Sequence, residues 1–463
     1  MRYISADNQY LQPSHIITLI HTPSSTSQFT LRRMPFRKFS FKDLILTTFC
    51  ILFTAVLYYR DFAVVDFNKF YLVIATFGVA AVLDYKRVIY LLCFLFPLSC
   101  GIPSNFIYPL LICILFIKDP QKSLNKVVLF IVIFLMEISH YGYYTFDIQI
   151  AEIVGYASFL FLMFYIIADN PKDVDYGKCI TLFCIGAAVL LLGIIINNSL
   201  LISQLDPING IVRLGDNKEL GDFSETRMML TANANTIGYY SIAAISCLLV
   251  LQYYKKINSI LFLILFAVSF YGGVLSVSRT WAILMIFSVI VYLRFMKHNI
   301  VKSLLLIGVL SIGVVVFLSQ NEIILEFFTQ RFTEDSTNLS TAGGRTIIFK
   351  SYNDYLADNP FSLLWGEGAV YYKEASGIAS ATHNALQQII VSYGLVGLCI
   401  FICAFIRSTK KYFSKKELMA ILPLCMMVLF VQTIQILNPY FLMAPIIVAF
   451  YALKMGKSQS QLH

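Results

Sequence analysis

The chain has 463 residues, of which 58% are apolar and only 13% charged, and it carries a formal net charge of +9. Soluble domains hold about 25% charged residues, so this balance excludes an ordinary soluble enzyme and makes the bilayer the medium in which the core forms. The basic residues sit in short loops between apolar runs, which reads as membrane topology and excludes nucleic acid as a partner.

Residues 1–33 are polar, lack an apolar core and precede Met34-Pro35. They resemble neither a signal peptide nor a packed element, so residues 1–43 are expected to be a cytoplasmic tail, with Met34 an alternative start. Apolar runs then follow at 44–59, 70–83, 88–101, 104–117, 127–144, 150–168, 177–197, 230–251, 258–277, 279–296 and 301–319. Three more lie at 384–406, 418–436 and 439–453. The reading is an all-α polytopic integral membrane protein of about fourteen transmembrane helices, several of them shorter than the roughly 20 residues of a full span. The runs beside Pro97 and Pro103 are alternatively one re-entrant hairpin. On this reading 44–319 holds about eleven of the spans and 384–463 the last three with a cytoplasmic tail.

Lys and Arg alternate loop by loop, and most of the 35 basic residues fall on one side when the N-terminus is cytoplasmic. Both termini are then cytoplasmic, and 198–229 and 320–383 are external loops, the second long and containing short helices. All ten cysteines lie in apolar runs, which leaves no disulfide framework or zinc pattern. Polar groups at membrane depth are costly, and here they crowd the outer halves of the spans: Glu137, His140, Asn197, Asn233, Asn235 and Gln387. Gln388, Gln432, Gln435 and Asn438 extend the set, as do Asn198 and the hydroxyls of Tyr239 and Tyr240. One reading is a wet cavity that suits sugar hydroxyls; the other is hydrogen bonding between helices.

The external side is poor in basic residues, so those present need a reason. Arg279, in Ser278-Arg279-Thr280-Trp281, has almost no loop to hold it in water and either snorkels to headgroups or binds an anion. Arg345 follows Gly343-Gly344 and starts a predicted helix to about Ala357, on which Arg345, Ile348, Tyr352, Tyr355 and Leu356 share a face. That face would lie over a prenyl diphosphate, with free N–H groups at the helix start adding to the phosphate site; a solvated arginine capping a loop helix is the alternative. Arg213, Lys218 and Arg227 belong to the earlier external loop. His383, before Asn384 and Gln387 at the start of a span, meets the positive end of a helix dipole, so its imidazole is expected neutral and able to accept a proton. A hydrogen-bonded interfacial histidine is the plainer reading. Asp173-Val174-Asp175 has the form of a metal-binding pair but falls in a short cytoplasmic loop, and we read it as solvated charge.

These residues together resemble the O-antigen polymerase and O-antigen ligase superfamily of bacterial envelope glycosyltransferases. The resemblance rests on Arg227 with Asn233-Ala234-Asn235 and Gly238, on Ser278-Arg279, and on Gly344-Arg345, Asn359-Pro360, Gly366-Glu367-Gly368, His383-Asn384, Gly394 and Gly397. It covers roughly the C-terminal half. The family pattern more often has Asn-Pro-Asn where this chain has Asn-Ala-Asn. The resemblance implies a GT-C-like enzyme of the bacterial inner membrane that transfers glycan from undecaprenyl diphosphate without metal or cofactor. In that scheme Arg279, Arg345 and Arg227 bind the diphosphate and His383 orients or deprotonates the acceptor hydroxyl. Arg213, Asn233, Asn235, Tyr352, Asn384 and Gln387 are the further substrate-binding candidates. Partners are the lipid-linked oligosaccharide donor and acceptor, membrane lipids and, as a candidate, a chain-length regulator protein. The polymerase is preferred over the ligase, which acts on lipid A core. A lipid or ion transporter, with Glu137 and His140 as a relay, is the reading from another class; the paired halves such proteins show are not found.

Overall fold

The computed structural model describes residues 40–63, 69–99, 106–119, 124–141, 150–168, 173–202, 230, 232–295, 308, 345–410, 418–434 and 440–460. Among these, all regular structure is helical. The helices are α1 (Phe41–Ala63), α2 (Lys69–Val82), α3 (Tyr85–Leu98), α4 (Ile107–Lys118), α5 (Leu124–Tyr141), α6 (Ile150–Ala168) and α7 (Tyr176–Ile202). They continue as α8 (Ala234–Tyr253), α9 (Ser259–Leu275), α10 (Arg279–Phe295), α11 (Arg345–Asp358), α12 (Pro360–Trp365) and α13 (Tyr372–Ser376). The last are α14 (Ala385–Thr409), α15 (Leu418–Phe430) and α16 (Ala444–Ser460), the last preceded by a 3-10 turn, Tyr440–Met443.

Among the described residues, four helices are long and apolar enough to cross a membrane: Phe41–Ala63, Tyr176–Asn197, Ala234–Tyr253 and the Ala385–Cys403 part of α14. The apolar runs read from the sequence coincide with helices nearly throughout the described chain, and α11 begins and ends within a residue of its expected bounds. The run at 301–319 except residue 308, and the whole of 320–344, lie outside the described residues, as do the residues around Pro103.

Helix starts are set by short polar side chains, as expected where four N–H groups lack internal partners. Asp84 accepts from Arg87 N at 3.1 Å, Asn233 from Thr236 N at 2.9 Å and Asn258 from Ile260 N at 2.8 Å. Asp175 takes the N–H of Gly177 at 3.1 Å, so this carboxylate of the Asp-Val-Asp pair caps α7.

Helix α8 is the centre of the assembly, with 94% of its span buried among α7, α9, α10, α15 and α16. Small residues let its neighbours approach. Ser241 accepts the indole N–H of Trp281 at 2.8 Å and donates to Ser269 O at 2.6 Å, so one hydroxyl joins α8, α9 and α10. Tyr239 and Tyr240 are fully buried in this core, Tyr239 against Phe430 at 5.4 Å between ring centres. The expectation that they meet sugar hydroxyls gives way to their packing.

Where α1, α3 and α7 begin, charges are paired. Arg87 donates to Asp43 at 2.9 Å and 3.2 Å and also pairs with Asp84, while Lys178 reaches the same Asp43 at 2.9 Å. Helices α7 and α8 run antiparallel, since Gly177 lies beside Lys256 and Gly193 beside Leu230. The start of α8 is therefore at the opposite end from Asp43, and that opposite end holds the candidate site.

Candidate functional site

The site begins with a break in α14. Gly394 has φ 63° and ψ −171°, non-helical values in the middle of the element, so residues 385–393 form a half-helix. Breaking the ladder there releases carbonyls that water cannot reach. The turn Gly366-Glu367-Gly368 supplies the donors: Glu367 N donates to Val391 O and Gly368 N to Ser392 O, both at 2.8 Å. The two chains come so close that a Cβ at Gly394 would stand 2.1 Å from Leu364 O, and one at Gly366 2.4 Å from the carbonyl of Ser392. Glu367, buried, accepts from the hydroxyl of Tyr355 at 2.6 Å and from Ser362. Burial, then the neighbouring Glu367, pushes the Tyr355 hydroxyl up to about 12, so it stays a donor.

Helix α11 is held against this half-helix. Gln387 Nε2 donates to Phe349 O at 2.8 Å and to Asn353 Oδ1 at 3.1 Å. Tyr352 is fully buried and donates to Ser380 O at 2.8 Å, and with Leu356, Tyr372 and Val391 it forms a small core of its own. The stripe Ile348, Tyr352, Tyr355 and Leu356 therefore faces α12–α14 and is not laid over a lipid as the sequence suggested: four apolar side chains on one face bury more area against protein than an open face retains. Tyr352 and Gln387 are placed as braces of the site.

At the head of the half-helix, Asn384 accepts from Gln387 N at 2.9 Å and its amide donates to Gln432 O at 3.3 Å. Ala385 N donates to Val431 O at 3.0 Å, so the end of α15 is stitched to the start of α14. Phe430, one residue earlier, lies 3.4 Å from where a Cβ of Gly238 would be, and Ser278 lies 3.2 Å from the same point. The starts of α8, α10 and α14 are thus joined through the end of α15, and α11 is held to α14 by Gln387. Arg279 and Arg345 are the first residues of α10 and α11, Asn233 caps α8 with Asn235 half-buried in its first turn, and His383 precedes the cap of α14. Four helix N-termini at one end direct N–H groups and positive dipole ends toward the same region.

Two strained residues mark this end. His383 has φ 51° and Val277, two residues before Arg279, φ 46°; positive φ is uncommon for any side chain and an outlier for a β-branched one, and such strain clusters where function requires a fixed geometry. His383 is half-buried, and its pKa is lowered first by desolvation and then by Arg345. The imidazole is therefore neutral near pH 7, with burial the larger cause and the Arg345 charge the smaller.

The sequence reading had the polar groups of the outer halves as candidates for a wet cavity; Gln435 and Asn438 lie outside the described residues, and Glu137, His140 and Asn197 have partners within the protein. Glu137 accepts from Tyr393. His140 stacks on Trp365 at 6.1 Å with Nε2 3.5 Å from Trp365 O, below the 366–368 turn. Asn197 donates to Asp61 at 2.7 Å. Asp61 also accepts Leu230 N at 3.0 Å and Arg60 Nε at 2.8 Å, fixing the chain just before Asn233. Sequence reasoning missed Asp61; its signal was an Arg-Asp pair directly following the apolar run 44–59. Arg213 and Arg227 lie outside the described residues.

The model of the family Wzy_C, described as O-antigen ligase, matches residues 264–402, a stretch that contains Arg279, Arg345, His383 and the Gly394 break. No curated protein and no solved structure matches the chain. With the helical spans, the match supports a membrane protein with a function of the O-antigen ligase or polymerase type. Over residues 264–402 the chain is thus similar to the O-antigen ligase family.

Proposed function

We propose that the chain is a polymerase of O-antigen or a related surface polysaccharide, moving a growing glycan from undecaprenyl diphosphate onto a lipid-linked repeat unit at the outer face of the bacterial inner membrane. The observation that carries this is the neutral His383, strained and desolvated beside Arg345 at the head of a broken helix. In the reaction the acceptor hydroxyl oxygen attacks the anomeric carbon and gives its proton to the imidazole. The bond from that carbon to the diphosphate breaks, and the diphosphate leaves with the electron pair. Arg279 and Arg345 neutralise the leaving diphosphate, with Arg227 and Arg213 from the preceding external loop, the role a divalent ion plays elsewhere. Asn233, Asn235 and Asn384 bind sugar hydroxyls, and Tyr352 and Gln387 hold the platform.

The apolar runs at 44–319 and 384–453, read as about fourteen helices with both termini cytoplasmic, and the long 320–383 segment favour the polymerase. The description of the matched family favours the ligase. A deletion strain decides: a surface still bearing single repeat units on lipid A core is expected for the polymerase, and a surface bearing none identifies the ligase. Normal long polymer in the deletion strain would overturn both.

A further inference from the structure

Two side chains of α5, one turn apart, grip the joint at Gly394. Glu137 is buried and accepts from the hydroxyl of Tyr393, the last residue of the half-helix. Its carboxyl group also takes the backbone N–H of Ala369, the residue after the 366–368 turn. His140 stacks on Trp365 at 6.1 Å and meets the Tyr393 ring edge-on at 6.5 Å. Its Cβ lies 3.0 Å from where a Cβ of Gly368 would stand. Each of the two therefore touches both chains of the joint. Val370 and Tyr371, next along, pack on Ile153 of α6, so α5 and α6 together carry the returning segment.

A carboxyl group at membrane depth is costly, and serine or threonine can supply ordinary hydrogen bonding between helices. What a carboxyl adds is two acceptor oxygens and no N–H, so it receives one donor from each of two chains. An amide in its place turns an N–H toward one of them. The half-helix is fixed at its head to the end of α15, through Asn384 and Ala385, and at its foot by Glu137. Residues 385–393 advance about 13 Å, with His383 just before one end and Tyr393 at the other. Without the bond at the foot the element pivots about its head, and α11, fastened to it through Gln387, goes with it. Arg279 sits on α10, which packs on α8 and α15, so the pivot carries Arg345 and His383 away from their place against Arg279.

We propose that Glu137 is a positioning residue of the candidate site: by bridging Tyr393 and Ala369 it sets the half-helix, and through it His383 and Arg345, against Arg279. The inference rests on the function proposed above and adds a residue from outside the stretch that the family model matches.

The test uses the purified full chain in nanodiscs as wild type, Glu137→Gln, Tyr393→Phe and the double variant, each change close in size to the residue it replaces. In polymer formation from lipid-linked repeat units, each single variant is expected to lose about ten- to hundredfold in kcat, the cost of a reacting group misplaced by about 1 Å, with KM within about twofold. The double variant should be no worse than the worse single one, because both changes remove the same bond. Amide hydrogen exchange across 385–393 should quicken about tenfold in the same variants, the effect of one buried hydrogen bond, while peptides of α8 keep their wild-type rates. Full kcat per folded protein, additive losses, or exchange quickened alike throughout the chain would make Glu137 ordinary packing and overturn the proposal. Exchange needs no substrate, so wild-type protein that polymerises nothing while the variants loosen 385–393 alone would overturn the polymerase reading and leave the hold of Glu137 on the half-helix standing.

Discussion

At the end of the bundle where α1, α3 and α7 begin, Arg87 and Lys178 converge on the carboxylate of Asp43. At the end where α8, α10, α11 and α14 begin, Arg345 lies close enough to His383 to disfavour its protonation. The first arrangement joins opposite charges and stabilises three helix starts. The second sets a cation beside a base, adds positive helix ends and accepts backbone strain at His383 and Val277. One end thus joins opposite charges across three helix starts, and the other sets a cation beside a base in a strained backbone conformation.

The comparison is sharpest in activity. His383→Ala should lower kcat by about 10² to 10⁴, the usual contribution of a general base, measured as polymer formed from lipid-linked repeat units by the purified protein, with unchanged melting temperature in detergent. Retained turnover would make the imidazole structural. Gly394→Ala should act on the fold: a side chain at positive φ, driven against Leu364 O, costs on the order of 3 kcal/mol, seen as a lower melting temperature and reduced yield. Asp43→Asn should cost less, roughly 1–2 kcal/mol because the cluster is partly solvated, and should leave kcat within about twofold since no reacting group depends on it. A large loss of kcat there would dissolve the contrast between the two ends.

The smallest effect is electrostatic. Arg345 and burial hold the His383 pKa below its ordinary value, so the base form persists to lower pH. In Arg345→Gln the burial contribution remains and the charge contribution goes, the pKa rises, and the acid limb of the residual kcat profile should move to higher pH. A limb that stays in place would mean the titrating group is not His383.

Much of the helical framework was legible because apolar runs bounded by Lys, Arg and Pro are long-wavelength features of a sequence. The helix at Arg345 was legible too, from its i, i+3, i+4 spacing, but not the direction of its apolar face, since lipid and protein present the same driving force to Ile348 and Leu356. Asp61 escaped, and Glu367 entered only within Gly366-Glu367-Gly368, because a carboxylate's role depends on donors more than a hundred residues away or across a turn. Gly394 entered as a member of a pattern; nothing local in Ser392-Tyr393-Gly394-Leu395 distinguishes a helix break from a helix with a glycine in it.

The reciprocal fit of Gly366 and Gly394, backbone against backbone with no room for a methyl group on either, bears on modularity. Residues 345–382 look in sequence like an insert that could be exchanged among relatives to graft a new specificity. They are one half of a joint whose other half is a membrane helix, so a functional chimera must take the segment and residues 385–397 from the same parent, and recombination between them would be selected against.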